Sequence, residues 1–148
     1  MVYSNDFEGT VGPEWSNRRT DVNPLQNHRF LGQFGNEVVK LTLTSLPPHE
    51  EVTVSFKLYI IGSWSHYSNG DIWALSVVNG PLLLYTSFNN SRNPNFSQAY
   101  PDGYPVGRKP ARSGAVEIDT LGYVGRGSPV ARATDTVYRL SFTFQQSA

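Results

Sequence analysis

Residues 63–71 gather aromatic rings and short polar side chains between two strand-like segments. Sugar rings present C–H faces that pack on flat aromatic rings, and their hydroxyls pair with short side chains that donate and accept hydrogen bonds. This pattern predicts a glycan-binding loop in which rings stack on the sugar and polar groups bond its hydroxyls. The predicted stacking residues are Trp64 and Tyr67, and the predicted polar residues are His66, Asn69 and Asp71.

The same residues also have a structural interpretation. Trp64 and Trp73 would fill an edge of the core, Asn69-Gly70 would turn the chain, and Asp71 would cap the turn. Trp73 alternates with two further apolar residues in a strand-like pattern, which favours a core position for its ring. The direction in which Trp64 points therefore separates a binding loop from a core edge.

A second aromatic segment lies in the long stretch 89–113, which is crowded with Asn, Pro, Gly and Tyr. We predict a loop there, and loops of this length are usually functional or mobile. Its prolines stiffen the backbone around two tyrosines, so the rings can bind at low entropic cost. Tyr100, Asp102 and Tyr104 are predicted to form the opposite wall of the sugar site.

The hydrophobic pattern has a period of two, and no helical pattern persists beyond one or two turns. It predicts an all-β chain, a single-domain antiparallel β-sandwich of about eight strands. Residues 9–28 resist strand assignment and are predicted to be a loop. Three strands are predicted to anchor the core, at 52–61, 38–46 and 134–144, and five further strands are predicted at 3–8, 29–34, 71–78, 82–88 and 116–122.

The composition restricts the partners. The chain of 148 residues has a net charge of zero and only 16% charged residues, so electrostatic capture of nucleic acid or of an anionic membrane is not expected. It has no cysteine, which excludes disulfides and thiolate catalysis. No apolar run is long enough to insert into a membrane. The N-terminus lacks a signal-peptide pattern, and the abrupt ends lead us to expect a domain, 1–148, excised from a longer protein.

Two carboxylates could do acid–base chemistry if residues 116–122 form a strand. Glu117 and Asp119 would then project from one face. The run resembles the E-x-D-x-x-E signature of laminarinase-like glycoside hydrolases, which implies Glu117 as nucleophile, but Gly122 stands in place of the final Glu, the acid/base. A retaining mechanism needs both carboxyls, so we predict no enzyme activity; the alternative interpretation is a solvated polar side of the strand.

Basic residues cluster at Arg18-Arg19 and at Arg108-Lys109-Pro110-Ala111-Arg112. Arginine pairs bidentately with phosphate or sulfate, so these clusters could recognise an anion. A solvated loop is the simpler interpretation.

Five segments spread over nearly the whole chain carry a resemblance to known domains. They are Asp6-Phe7-Glu8-Gly9, Phe30-Leu31-Gly32-Gln33-Phe34-Gly35-Asn36, 52–73, Tyr100-Pro101-Asp102-Gly103-Tyr104 and Val137-Tyr138-Arg139-Leu140-Ser141-Phe142. These segments resemble β-sandwich domains of secreted, multidomain bacterial proteins, which are similar to concanavalin-like jelly rolls and to carbohydrate-binding modules. The resemblance implies a jelly roll, a secreted or cell-surface location and a parent multidomain protein.

The resemblance also raises the prospect of a structural calcium. Where the family carries Ser-Trp-Asp-Gly, this chain has Ser65 and His66 after Ser-Trp. A calcium at that loop would have to rely on Asp71 with other oxygens, because calcium takes six to eight oxygen ligands. A second site implied by the resemblance joins Glu8 to Asp135; the alternative is that Glu8 is an exposed strand-end residue.

Taken together, the sequence predicts a noncatalytic, lectin-like accessory domain that binds a polysaccharide or glycan through loop aromatics. The competing hypothesis is a structural or adhesive extracellular domain that contacts other proteins. Such a domain should expose a contiguous apolar patch rather than a sugar-sized groove. A glycoside hydrolase or lyase is the third hypothesis.

Overall fold

A computed structural model describes residues 1–65, 70–124 and 134–147. Over these residues the chain contains antiparallel strands and no helix, so none is present that could cross a membrane. The all-β prediction is confirmed, whereas the jelly-roll topology stays a prediction. The strands are β1 (Thr20–Val22), β2 (Arg29–Leu31), β3 (Glu51–Ile61), β4 (Ile72–Ser76), β5 (Leu82–Ser87), β6 (Ser97–Gln98), β7 (Lys109–Pro110), β8 (Glu117–Ile118) and β9 (Asp135–Gln145).

The chain forms two compact units. The smaller consists of Met1–Glu51 with Gln145–Ala148, and the larger of Val52–Phe144. That the two form one sandwich domain stays a prediction.

The larger unit is built on a sheet with the strand order β3-β9-β8. Alternate residues of β3 are exposed and half-buried, as the period of two predicts. On the exposed face, hydroxyl pairs join β3 to β9: Thr53 to Thr143 at 2.7 Å and Ser55 to Ser141 at 2.8 Å. The descending partner numbers show that β3 and β9 are antiparallel.

The buried face of this sheet holds an aromatic core. Ile60, Phe88, Tyr138 and Leu140 form its centre. The ring centroids of Phe88 and Tyr138 lie 4.6 Å apart, and burial raises the pKa of the Tyr138 hydroxyl. Trp73 packs against this cluster, so the predicted core position of its ring is confirmed.

Two hairpins complete the larger unit. β4 pairs with β5, close to the predicted strands 71–78 and 82–88. β6 pairs with β7 inside residues 89–113, which were predicted to be a loop. That prediction is wrong because the polar residues there use side-chain bonds to hold short strands: the buried Gln98 amide bonds the backbone of Tyr100 and Ser113.

The smaller unit contains the hairpin β1–β2. β1 lies within residues 9–28, predicted to be a loop, and β2 is shorter than the predicted strand 29–34. The predicted strand 3–8 is absent: the side-chain oxygens of Asn5 and Asp6 accept the amides of Phe7 and Glu8, and Phe7 has a φ of 60°. These local turns replace ladder bonds.

The predicted core strand 38–46 is also wrong. The segment makes one antiparallel bridge, between Trp15 and Leu41, and Leu41, which the alternation places on the apolar face, is 38% exposed. Alternation alone cannot make a strand when no neighbouring segment continues the ladder.

An ion pair joins Arg19 to Glu37 in the smaller unit. The Arg19 guanidinium donates to both carboxylate oxygens of Glu37, at 3.0 and 3.3 Å, and lies 5.4 Å from the centre of the Phe34 ring. Hydrogen bonding to Arg19 lowers the pKa of Glu37 below its usual value of 4.5.

We expect the Glu37 carboxyl to titrate below pH 4.5 in an NMR titration of the folded protein, and Arg19→Ala to return its pKa toward 4.5. Because the folded pKa is lowered, the stabilisation is present above the unfolded pKa and is lost as the pH falls through the folded pKa. Arg18→Ala, at the neighbouring position, is the control. An unchanged Glu37 titration in Arg19→Ala would contradict the assigned cause.

Candidate functional site

A cleft of about 260 Å³ opens on the larger unit. One wall is the segment that follows β3, and the facing wall is the segment between β5 and β6. Aromatic rings and side-chain hydroxyls or amides line it, and all its described lining residues are uncharged. They are Ser63, Trp64, Ser65, Asn89, Asn90, Ser91, Phe96 and Thr134.

Trp64 has two roles. Its ring meets Phe88 edge-on, with centroids 6.2 Å apart and planes at 76°, and it packs against the core cluster. The side chain is nevertheless only half-buried, and it lines the cleft. The core-edge and ligand-facing interpretations therefore describe two sides of one ring.

Phe96 supplies the other aromatic surface of the cleft. It follows β5 by a stretch rich in Asn, and it is 39% exposed. The local turns that lead to it are held by side chains: Ser91 Oγ accepts the Asn93 amide at 3.1 Å, and Asn93 Oδ1 accepts the Asn95 amide at 3.0 Å. Phe96 is thus presented from a hydrogen-bonded segment.

The two asparagines of the cleft are committed to the fold. The Asn90 amide donates to the carbonyls of Ile60 and Gly62, at 3.0 and 2.9 Å, and accepts from the Thr136 hydroxyl at 2.7 Å. The Asn89 amide donates to the Ser97 carbonyl and accepts from the Ser91 amide. These bonds fix the cleft floor, and both side chains are buried.

Hydroxyls remain for a ligand. Ser63 is exposed and Ser65 half-buried, and within the part of the chain that the structure describes, neither hydroxyl makes a hydrogen bond. Ser91 Oγ accepts one bond and keeps its proton to donate. The cleft therefore offers donor and acceptor capacity beside Trp64 and Phe96.

Asp71 is hydrogen-bonded to Ser65, at the other end of the predicted binding loop. Its carboxylate accepts the Ser65 amide at 3.0 Å, and its own amide donates to the Ser65 carbonyl at 3.0 Å. This arrangement matches the capping role that the sequence offered as an alternative. His66, Tyr67 and Asn69, predicted to bind ligand with it, lie outside the described residues.

The residues predicted to form the opposite wall of the sugar site contact other parts of the larger unit instead. Tyr100 stacks on Phe88 at 5.0 Å and meets Tyr138 edge-on at 5.0 Å, and burial raises the pKa of its hydroxyl. Tyr104 packs against Tyr85, with ring centroids 6.3 Å apart. Asp102 pairs with Lys109 at 3.7 Å, and none of the three predicted wall residues lines the cleft.

The predicted calcium ligands have other partners. Asp135 is fully buried, and its carboxylate accepts the amides of Leu121 and Tyr123 at 3.1 and 3.2 Å. Glu8 accepts the Arg29 amide at 3.1 Å and is exposed. Over the described ranges, no group of three or more His, Asp or Glu side chains could hold a metal ion. Calcium binding at Glu8, Asp71 or Asp135 stays a prediction.

The carboxylates of the hydrolase-like motif do not share a strand face. β8 ends at Ile118, and Asp119 has a φ of 58°, so the prediction of a common face is wrong. Glu117 lies 3.9 Å from Lys57. Asp119 binds Arg112 at 3.3 Å and Arg92 at 2.8 Å, so Arg112 is neutralised rather than presented to an anion.

Comparisons with known proteins add no relative: the chain matches no protein-family model, and no curated protein or solved structure is significantly similar to it. The cleft therefore has to be interpreted from its own residues.

Sequence reasoning found Trp64 but missed the facing wall. Phe96 and Asn89–Ser91 fall in a segment whose composition predicts only a loop. Its alternating Asn and Ser residues were the available signal, because short polar side chains build consecutive local turns. Three such turns precede Phe96, at Asn89, Ser91 and Asn93.

Proposed function

We propose that this chain is a noncatalytic glycan-binding module that uses the cleft between Trp64 and Phe96. The observation that supports the proposal is the combination of two aromatic rings with the hydroxyls of Ser63 and Ser65 in a cleft whose described lining is uncharged. Neither hydroxyl bonds any residue that the structure describes. Rings of this kind pack on the C–H faces of a sugar, and hydroxyls exchange hydrogen bonds with it.

The cleft suits a small part of a larger saccharide. Its volume of about 260 Å³ is below the range of roughly 300–1,000 Å³ typical of pockets that enclose a drug-sized ligand. One or two sugar units of a polysaccharide would occupy it while the rest of the chain stays in solvent. In line with the family resemblance, the module would act as an accessory domain of a secreted or cell-surface protein.

Phe96→Ala is expected to weaken glycan binding about tenfold. The reason is that stacking of a ligand ring on an aromatic side chain contributes on the order of 1–3 kcal/mol. The measurement is retention on polysaccharide gels, followed by calorimetric titration with the best-retained glycan. Phe96 is a better choice than Trp64, whose removal would also open the core.

Tyr85→Ala is the matched control. Tyr85 is an exposed aromatic residue, at 43% beside 39% for Phe96, and it does not line the cleft. Its removal should leave affinity unchanged. If Tyr85→Ala weakens binding and Phe96→Ala does not, the site lies at the Tyr85–Tyr104 pair instead; if no glycan is retained by the wild-type protein, the proposed function is wrong.

The adhesive hypothesis has one observation in its favour. The β4–β5 hairpin exposes Leu82 at 60%, Tyr85 at 43% and, in its turn, Val78 at 67%. Such side chains are typical of protein contacts when they form one patch. Absence of glycan binding together with self-association that Leu82→Ser abolishes in size-exclusion chromatography would favour this second function.

A further inference from the structure

We propose that the cleft selects uncharged glycans and excludes acidic ones, such as uronates and sulfated or sialylated sugars. The inference rests on the proposed function and specifies its ligand class. It follows from the charges at the cleft and around it.

The described walls of the cleft carry no cationic side chain that could pair with an acidic sugar. Every described lining residue is uncharged. Arg92 follows the Asn89–Ser91 wall in sequence, and Arg112 is bonded to that wall. Both arginines bind the Asp119 carboxylate, at 2.8 and 3.3 Å. The Arg112 side chain is only 10% exposed. Carboxylate and sulfate recognition normally relies on an arginine fork or an equivalent cation.

One anion lies beside the cleft. The Asp71 carboxylate accepts the amide of Ser65 at 3.0 Å, and Ser65 lines the cleft. Asp71 is exposed, so its charge acts through solvent and weakens an acidic ligand modestly, by about threefold at a separation of a few ångströms. Loss of hydration at an unpaired ligand carboxylate adds a larger penalty.

The bonds that hold the asparagines also limit recognition. The Asn90 side-chain amide uses both of its N–H groups on the carbonyls of Ile60 and Gly62. The Asn89 side-chain amide donates to the Ser97 carbonyl and is buried, so neither amide is well placed to replace a cation. Among the described lining residues, Ser63, Ser65, Ser91 and Thr134 carry hydroxyls. Neutral donors and acceptors of this kind match sugar hydroxyls.

Matched pairs of polysaccharides test the selectivity. β-1,4-Mannan and β-1,4-polymannuronate differ at C6, where a hydroxymethyl group replaces a carboxylate, and soluble β-1,4-glucan and β-1,4-glucuronan form a second pair. These four, with neutral, sialylated and sulfated glycans on an array, are offered to the wild-type protein at low and physiological salt. We expect binding among the neutral members only, with acidic partners at least tenfold weaker.

Asp71→Asn sharpens the test. The amide oxygen of asparagine can still accept the Ser65 amide, whereas the charge is removed. We expect the neutral-to-acidic affinity ratio to fall about threefold, and more at low salt than at physiological salt. Glu117→Gln, an exposed carboxylate paired with Lys57, is the matched control and should leave the ratio unchanged.

The outcomes separate the two proposals. Equal or stronger binding of an acidic glycan overturns the selectivity while the glycan-binding function stands. If Asp71→Asn leaves the neutral-to-acidic affinity ratio at its wild-type value, the proposed contribution of the Asp71 charge to the selectivity is wrong. Absence of binding to every probe overturns the proposed function, and the selectivity with it.

Discussion

Gln98→Leu is expected to lower the free energy of unfolding by about 4 kcal/mol, since each buried polar group left without a partner costs roughly 1–3 kcal/mol. The Gln98 side chain is fully buried. Its carbonyl accepts the amides of Asn89 and Arg112, both at 3.0 Å, and its amide donates to the carbonyls of Tyr100 and Ser113 at 3.2 and 2.9 Å. Leucine would fill similar space and satisfy none of these groups.

Urea unfolding followed by tryptophan fluorescence measures the loss. Gln146→Leu is the control, because Gln146 is exposed and surface substitutions usually change stability by less than about 0.5 kcal/mol. Gln98→Glu adds a second comparison: it keeps the acceptor but loses both donors. A Gln98→Leu variant as stable as the control would show that the amide does not organise this region.

Arg112→Met is expected to destabilise the protein by about 2–4 kcal/mol, because it removes one partner of a largely buried ion pair. The guanidinium donates twice to the Asn90 carbonyl, at 3.1 and 2.9 Å, and to both oxygens of Asp119 at 3.3 Å. Arg112→Lys should recover little, since one ammonium cannot reproduce this planar set of donors.

Arg92→Met is the matched control at the same carboxylate. Arg92 also binds Asp119, but its side chain is 46% exposed, so its loss should cost less than about 1 kcal/mol. The measurement is again chemical denaturation. If the two substitutions lower the free energy of unfolding equally, burial is not the reason why Arg112 contributes more to stability than Arg92.

Strands with unbroken alternation were predictable. β3 and β9 follow their predicted bounds within about one residue because exposed residues alternate with half-buried or buried ones along most of each strand. The segment 38–46 shows the same alternation but leaves Leu41, on its apolar face, 38% exposed. Alternation shows that a segment could bury one face. A strand also needs a partner strand to pair with, and the local pattern does not identify that partner.

The short strands and the cleft were less predictable for a different reason. β6, β7 and the wall around Asn90 are held by side-chain to backbone bonds, some between residues about 30 positions apart, such as Asn90 to Ile60. Composition identifies these residues as turn formers but not their distant partners. Trp64 was found because its neighbours are aromatic, and Phe96 was missed because its surroundings are not.

The hydroxyl pairs on the β3–β9 sheet have a consequence for how the chain folds. Thr53 and Thr143 are 90 residues apart, and Ser55 and Ser141 are 86 apart. Their strands can meet only after most of the chain has been ordered or looped out, and the entropy of that closure must be overcome before any ladder bond forms. The β4–β5 hairpin is closed by a few residues and can form locally. We therefore expect the pairing of β3 with β9, rather than this hairpin, to limit the folding rate.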